Sequence, residues 1–332
     1  MKKFLLVINF FICLLLVSCS KIEEYKGRTL FLFDTTVTIK LYNDSDAEKH
    51  YQEIKEMLTE ISNVSSNFES YDGKSVYDLN IKRKIEANSY LELAEMLSFA
   101  KSAYLYTDGY FNPFIGRITS MWKKASEDKV LPSDEKIKEE LVIMNNTNLT
   151  VSDDMRYVEL HGDGDIDLGG FVKGYACYKL IKYVKDNDIK NFLFDLGNSN
   201  ILFGKKVDQS FSFGLKKPTE EGYFAEGKIT DIIISTSSIE YQRFEIDGKE
   251  YNHLISPFTG YPVEYYTSAS IFYNYDDIDK DVNSYSDALS TAIFCMPIEF
   301  AKDYAKKVNI GIILYNKEIL YKSDELDYVK AL

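Results

Sequence analysis

The sequence lacks an excess of basic residues. Its 39 lysines and arginines are outnumbered by 52 aspartates and glutamates, giving a formal net charge of -13. No basic patch interrupts this acidic background, which argues against nucleic acid as a partner. An acidic chain that handles a phosphorylated ligand needs local compensation from a lysine, a helix N-terminus or a bound cation.

Long apolar runs are also missing, with one exception at the N-terminus. There Lys2 and Lys3 precede the run FLLVINFFICLLLV, whose last two residues begin the motif LVSC that ends at Cys19. This pattern resembles the lipobox of bacterial lipoproteins, in which the chain is cut before the cysteine and the cysteine is lipidated. We therefore predict a signal peptide over residues 1–18, a lipidated Cys19 with a tether over 19–28, and one domain over 29–332. The alternative is an uncleaved N-terminal anchor, and either form works outside the cytoplasm, attached to a bacterial membrane.

Cysteine is scarce, at four residues. Cys13 leaves with the signal peptide and Cys19 is the predicted lipid site. Cys177 and Cys295 remain, each within a predicted helix. A disulfide between them is possible in an oxidising compartment, but two separate buried thiols are favoured.

What the sequence does contain is typical of a packed globular protein. Hydrophobic residues make up 45% of the 332 positions, with 26 Tyr and 21 Phe. Apolar periodicity predicts an α+β fold, a single compact domain with mixed or antiparallel sheets and flanking helices. The predicted elements include one strand over residues 28–42, helices over 47–68, 89–109, 171–188 and 286–296, a strand pair over 157–170, and a hairpin turning at 247–248.

The stretch HGDGDIDLGGFVKGYACYKL, residues 161–180, is the first candidate site. It does not match an EF-hand, whose sixth and twelfth positions would be Gly and Glu, nor a Walker or a dinucleotide-binding glycine pattern. What remains is a glycine pair, Gly169 and Gly170, opening a helix that carries Lys173 in its first turn. Free N–H groups, the helix dipole and the ammonium group favour an anion there. An ordinary turn with a solvated lysine is the alternative.

Two further segments carry groups suited to phosphate chemistry. In SDALSTA, Asp287 and Thr291 are four residues apart, so on a helix they share a face. A carboxylate and a hydroxyl are hard oxygen ligands that suit Mg²⁺; alternatively, Asp287 caps the helix. In HLISPFTGYPV, His253 is one of three histidines and lies in a Pro- and Gly-rich loop. It is able to accept a proton from an alcohol, although a structural role is the alternative.

Five stretches in this order resemble the ApbE family of FAD:protein FMN transferases. They are YFNPFIGRITSMW, DIDLGGFVKGYA, FLFDLGN, ISTSSIEYQRFEIDGKEYNHLISPFTGYPV and SDALSTAIFCM. The resemblance implies a Mg²⁺-dependent enzyme that cleaves the pyrophosphate of FAD. It transfers FMN through a phosphoester to a Thr or Ser of an exported target protein, such as a redox-pump subunit, and releases AMP.

The resemblance also implies roles for individual residues. Asp287, Thr291 and the carbonyl of Gly170 are expected to hold the metal, and His253 is the expected base, with Asp287 as the second catalytic residue. The expected contacts of FAD are Phe33, Ser70, Tyr71, Asp72, Asn112, Lys173 and the backbone of Ile255.

Three departures from the family pattern affect the flavin end of the site. Phe33-Asp34-Thr35 stands where relatives have Met-Gly-Thr, Asn112 replaces an acidic residue, and residues 197–200 replace Gly-Gly-Asn. Three rival functions are weighed against the transferase: a pyrophosphatase that hydrolyses FAD to FMN and AMP, a non-catalytic flavin-binding lipoprotein, and a structural or adhesive lipoprotein. The last leaves the ordered motifs unexplained.

Overall fold

A computed structural model describes residues 24–26, 29–86, 91–240, 242–277 and 282–332, without the side chains of Glu24, Lys26 and Leu91. The predicted signal peptide, Cys13 and the predicted lipid site Cys19 lie outside the described residues. Within them, no helix is both long enough and apolar enough to cross a membrane.

Helices and strands alternate irregularly along the chain. The helices are α1 (Ala47–Ser65), α2 (Val76–Lys82), α3 (Leu91–Tyr106), α4 (Gly116–Asp128), α5 (Asp134–Asn145), α6 (Val172–Asp186), α7 (Ser286–Cys295) and α8 (Ile298–Lys307), with a 3-10 turn at Val282–Tyr285. The strands are β1 (Glu24–Lys26), β2 (Leu30–Leu32), β3 (Thr35–Tyr42), β4 (Lys84–Glu86), β5 (Asn148–Val151), β6 (Tyr157–His161), β7 (Phe192–Leu196), β8 (Asn200–Phe203), β9 (Phe211–Lys216), β10 (Tyr223–Ile229), β11 (Ile232–Ser238), β12 (Arg243–Ile246), β13 (Lys249–Asn252), β14 (Ser268–Asn274), β15 (Gly311–Asn316), β16 (Glu318–Lys322) and β17 (Val329–Ala331).

A nine-stranded antiparallel sheet organises the described residues. Its order is β1-β3-β7-β8-β11-β14-β15-β16, and β2 pairs with β3 beside β1. Smaller sheets are formed by β17-β10-β9 and by β4-β6-β5, and β12 pairs with β13 as a hairpin. The predicted α+β fold in a single domain is therefore confirmed.

The large sheet buries apolar side chains on both faces. Strand β11 illustrates the alternation, because Ile233 packs into the core shared with the helices while Ile234 packs into the core shared with the sheet β17-β10-β9. Ser235 and Ser237 continue the helix-facing row. Because serine is small, α7 lies close to β11 at these positions, where the hydroxyls bond to Ser290.

The segment predicted as one strand over residues 28–42 is a hairpin, so that prediction was wrong. Leu32 pairs with Thr35, leaving Phe33 and Asp34 as a two-residue turn in which both have φ 55. Positive φ at both positions is the geometry that matches the twist of paired strands. The turn was missed because it contains neither Gly nor Asn, and the apolar alternation continues through it.

The predicted strand pair over 157–170 was half right. Residues 157–161 form β6, but residues 162–171 form a loop whose only ladder contact in the described part of the chain is an isolated bridge between Ile115 and Asp165. Asn80 holds this loop, since its amide accepts from Ile166 N at 2.8 Å and donates to Ile166 O at 2.9 Å. Because Asn80 is 86 residues away in sequence, nothing in the local sequence indicated that this segment is a loop.

Several other predictions are confirmed. The hairpin turns at Asp247 and Gly248, both with positive φ. Helix α7 ends before Pro297. Cys177 and Cys295 are buried free thiols. The predicted tether over 19–28 was not expected to contain a strand, but Glu24–Lys26 form β1, which pairs with the end of β3.

Candidate active site

The N-terminus of α6 presents backbone N–H groups and a lysine to the candidate site. The carboxylate of Asp167 accepts from Gly169 N at 2.8 Å and from the Thr119 hydroxyl at 2.7 Å, which fixes the turn before the helix. Phe171 and Val172 then donate to the carbonyl of Leu168, closing the first turn. As predicted, the helix begins directly after the glycine pair and carries Lys173 in its first turn.

Helix α7 crosses α6 at close range, which brings Asp287 to the start of α6. Gly174 makes this crossing possible, because a Cβ atom at that position would lie 2.6 Å from Asp287 N and 2.9 Å from Ser286 Oγ. No ordinary side chain fits at such a separation. The two segments are distant in sequence, so their meeting is a tertiary feature.

The Asp287 carboxylate is buried and has a partner on each oxygen. Oδ2 accepts from Lys173 N at 3.3 Å and lies 3.9 Å from Lys173 Nζ. Oδ1 accepts from Asn200 Nδ2 at 3.0 Å. Asp287 is 4% exposed and Asn200 0%. Because a buried carboxylate without partners is costly, these contacts are what allow Asp287 to remain at this position.

A row of hydroxyl groups continues from Asp287 along α7. Thr291 Oγ1 lies 3.4 Å from Ser237 Oγ, and Ser237 Oγ lies 3.0 Å from Ser290 Oγ. Gly170 faces Thr291 closely, since a Cβ at residue 170 would be 2.8 Å from Thr291 Oγ1. The backbone of Gly170, the Thr291 hydroxyl and the start of α7 therefore lie together, as the sequence interpretation requires.

The residues gathered here fit a hard divalent cation. A carboxylate, a hydroxyl and a backbone carbonyl are the oxygen ligands that Mg²⁺ prefers, and the missing side chain at Gly170 leaves Thr291 Oγ1 uncovered on that side. The described residues contain no cluster of three or more His, Cys, Asp or Glu able to hold a metal. The donor set thus suits Mg²⁺ shared with phosphate oxygens rather than a closed protein cage.

His253 lies close enough to Lys173 and Asp167 for their charges to act on its ring. Desolvation by the surrounding protein lowers the pKa of the His253 ring below its ordinary value, although the side chain keeps contact with solvent. The charge of Lys173 lowers this pKa further, while the hydrogen bond to Gln242 and the charge of Asp167 oppose the decrease. Nδ1 lies 3.2 Å from the carbonyl oxygen of Gln242. Because a carbonyl only accepts, Nδ1 carries the proton, and Nε2 of the neutral ring is left as the proton acceptor.

Three predicted flavin contacts lie in the loop before α2. Ser70 Oγ donates to the Asp78 carboxylate at 2.8 and 3.0 Å, so this hydroxyl belongs to the capping network of α2. Asp72 is exposed with φ 49, and Tyr71 is half-buried against the core. The loop connects to the candidate site through α2, whose Asn80 holds the segment next to Asp167.

Each of the remaining predicted flavin contacts is held in place by a hydrogen bond of its own. Asn112 is buried and its Oδ1 accepts from Phe114 N at 2.9 Å, forming a tight turn. The carbonyl of Ile255 faces the Cys295 thiol at 3.7 Å. Phe33 N donates to Ser62 Oγ at 3.0 Å, which holds the β2–β3 turn against α1.

Two residues at the candidate site were missed by sequence reasoning. Asn200 binds Asp287 but stood out only as a departure from a family motif. Thr119 binds Asp167 from α4. Their partners are 87 and 48 residues away, so no local pattern links them. The only available signal was that both residues lie in or beside the stretches that carry the family resemblance.

The chain is similar to several known proteins in sequence and in fold. A "FAD:protein FMN transferase" from Chlamydia pneumoniae is 25% identical over 319 residues, covering 93% of this chain and 96% of the relative. A protein of the same name from Haemophilus influenzae is 23% identical, covering 89% and 86%. Among solved structures, the ApbE protein of Thermotoga maritima superposes with a TM-score of 0.77 at 23% identity, covering 92% of this chain and 98% of that one. The flavin transferase ApbE of Vibrio cholerae gives 0.71 at 20%, with the same coverage.

These relatives place the chain in the transferase class of enzymes. The model of the ApbE family matches residues 33–314. The chain therefore belongs to the ApbE family.

Proposed function

We propose that the protein is a Mg²⁺-dependent FAD:protein FMN transferase. The observation that carries this proposal is the meeting of Gly170, Lys173, Asp287 and Thr291, in which Lys173 N lies 3.3 Å from Asp287 Oδ2 and a Cβ at Gly170 would lie 2.8 Å from Thr291 Oγ1. These groups come from separate segments and together offer anion-binding N–H groups, a cation and hard oxygen ligands. The printed names of the relatives support the same activity.

The proposed reaction breaks the phosphoanhydride of the FAD pyrophosphate and forms a phosphoester on the acceptor protein. The hydroxyl oxygen of an acceptor Thr or Ser forms a bond to the phosphorus of the FMN half of FAD, and the bond from that phosphorus to the bridging oxygen breaks. AMP leaves with the bridging oxygen. The hydroxyl proton passes to Nε2 of His253, whose lowered pKa keeps the ring neutral near pH 7.

The chain's own groups contribute mainly positioning and charge. Asp287, Thr291 and the carbonyl of Gly170 would hold Mg²⁺, which when bound supplies positive charge against the phosphate oxygens. Lys173 and the N-terminus of α6 bind the negatively charged pyrophosphate. Asn200 orients the Asp287 carboxylate through its hydrogen bond to Oδ1. Phosphoryl transfer depends largely on positioning and electrostatic stabilisation, and these groups supply both.

The test combines the full chain in detergent with FAD, Mg²⁺ and an exported protein bearing an acceptor Thr or Ser. Intact-mass spectrometry reports on the acceptor, and chromatography reports on the nucleotides. The proposal predicts an acceptor heavier by one FMN group, together with AMP. Free FMN and AMP with an unmodified acceptor would favour the pyrophosphatase, and bound but intact FAD would favour a non-catalytic flavin-binding protein.

The proposed setting is outside the cytoplasm, on a bacterial membrane to which a lipid on Cys19 attaches the protein. Support comes from the N-terminal pattern of two lysines, an apolar run and LVSC. Metabolic labelling with a palmitate analogue tests the attachment: label on the wild type and none on Cys19→Ala is expected. Equal labelling of both proteins would contradict it.

A further inference from the structure

A pocket lies at the end of β3, away from the candidate active site. It is open to solvent, has a volume of about 650 Å³, and is lined by Tyr42 at the end of β3, by the β8–β9 connection, and by β9 and β10. Its polar lining is dominated by three lysines, Lys40, Lys206 and Lys228, and its nine lining residues include no carboxylate. In a chain of net charge -13, such a concentration of positive charge calls for a ligand of opposite charge.

Two of these lysines have no carboxylate partner in the part of the chain that the structure describes. Lys206 lies over aromatic rings, with Nζ 5.9 Å from the Tyr42 centroid and 5.6 Å from the Phe211 centroid. Lys228 makes no ion pair with the described residues. Lys40 is close enough to Asp195 to oppose the effect of burial on the pKa of that carboxyl. The positive charge of Lys206 and Lys228 is therefore not balanced by an ion pair among the described residues.

The pocket lies next to the point where the N-terminal segment joins the domain. Strand β1 pairs with β3 so that Glu24 is opposite Tyr42 and Lys26 is opposite Lys40. Directly paired Cα atoms are about 4.5–5.5 Å apart. Four residues lie between Cys19 and Glu24, and the five steps from one Cα to the other cover at most about 18 Å when fully extended. A membrane attachment at or before Cys19 therefore holds the pocket within a short distance of the lipid surface.

From this juxtaposition we infer that the lysine pocket binds the phosphate of an anionic phospholipid headgroup and fixes the orientation of the domain on its membrane. The ligand chemistry is a phosphate diester on an acidic lipid, held by ammonium groups acting as point charges. The inference rests on the N-terminal membrane attachment and not on the flavin chemistry.

This orientation has a consequence for the candidate active site. Strand β3 has eight residues, so about 24 Å separates its two ends. Tyr42 lines the lysine pocket at one end. Thr35 at the other end contacts the turn at Gly197, next to Asn200 and hence Asp287. A domain seated through the pocket directs its candidate active site away from the bilayer, toward soluble FAD and the acceptor protein.

The test uses the full chain in nanodiscs of phosphatidylcholine alone or of equal phosphatidylcholine and phosphatidylglycerol. Hydrogen exchange is followed in a peptide covering 205–212, and the buried strand 268–274 reports that the fold is intact. Because two lysines close to an anionic surface favour the seated orientation by roughly tenfold or more, exchange in 205–212 is expected to slow by about that factor on the anionic discs.

Variants separate the pocket from general attraction to the membrane. The double variant Lys206→Gln/Lys228→Gln should lose the slowing of hydrogen exchange on the anionic discs. The single variant Lys228→Gln should reduce this slowing, and it serves as the test should the double variant be unstable. The control Lys205→Gln is matched to Lys228→Gln, because it also removes one positive charge, but from an exposed residue outside the pocket. This control should retain the slowing of exchange. Equal exchange on both discs would overturn the inference. Equal slowing by inorganic phosphate on neutral discs would overturn the lipid assignment and indicate a site for a soluble phosphate.

Discussion

Substituting Asn200 by Asp probes the interior of the candidate site with almost no change in shape. The Asn200 amide is fully buried and donates to Asp287 Oδ1 at 3.0 Å. The substitution removes the N–H donor and places a second carboxylate beside the first. Two carboxylates in contact cannot both ionise at low cost, so at least one pKa of the pair is raised.

The magnitude follows from the two losses. A hydrogen bond to a charged group contributes about 1.5–3 kcal/mol, and an uncompensated buried charge adds a comparable cost. We therefore expect the free energy of unfolding of Asn200→Asp to fall by about 3–5 kcal/mol at pH 7. Because the pair has a folded-state pKa above that of an unfolded carboxyl, protonation favours the folded state. The deficit should shrink as the pH falls through that raised pKa toward about 4.

Urea denaturation at pH 7 and pH 5 measures the effect. The matched control is Asn198→Asp, the same chemical change two residues away, at an exposed position. The reasoning would be refuted by an Asn200→Asp deficit no larger than that of the control at pH 7. A deficit that grows on acidification would refute the electrostatic part alone.

Three further predictions concern the chemistry and the packing of the same site. Asp287→Asn should lower Mg²⁺-dependent transfer by at least about 10²-fold, because a charged ligand is lost; a Mg²⁺ titration with unchanged turnover would remove Asp287 from the metal site. His253→Ala should slow transfer by about 10²–10⁴-fold, with little change in FAD affinity measured by flavin fluorescence. Because desolvation lowers the pKa of His253, kcat/KM of the wild type should decrease on acidification only below pH 6.5. A loss confined to FAD affinity, or a decrease that begins above pH 6.5, would contradict the role of His253. Gly174→Ala should destabilise the fold by about 1–3 kcal/mol, because the added Cβ would meet Asp287 N at 2.6 Å, and a melting temperature equal to that of the wild type would show that the helices separate freely.

The parts of the site that are local in sequence could be predicted. Asp287 and Thr291 are four residues apart, and this spacing alone places them on one face of α7. Gly170 belongs to the glycine pair and Lys173 follows it by three residues, which predicts their place at the start of α6. Helical periodicity also places Val172, Ala176, Leu180 and Val184 on one side of α6, and all four are buried.

The contacts that join distant segments could not be predicted. Asn200 reaches Asp287 across 87 residues, and no spacing in the sequence encodes that distance. The turn at Phe33 and Asp34 was missed for a different reason, since its residues alternate like those of a strand and only the pairing of Leu32 with Thr35 reveals the reversal. Asp is tolerated at positive φ more readily than most residues, which is why a turn forms there without glycine.

The ratio of AMP released to FMN attached to the acceptor tests the proposed function most directly. Transfer of one FMN group for each FAD consumed predicts a ratio of one to one, measured by nucleotide chromatography and intact-mass spectrometry on the same sample. AMP in large excess over modified acceptor, across several exported candidates, would contradict the transferase and identify the reaction as hydrolysis of FAD.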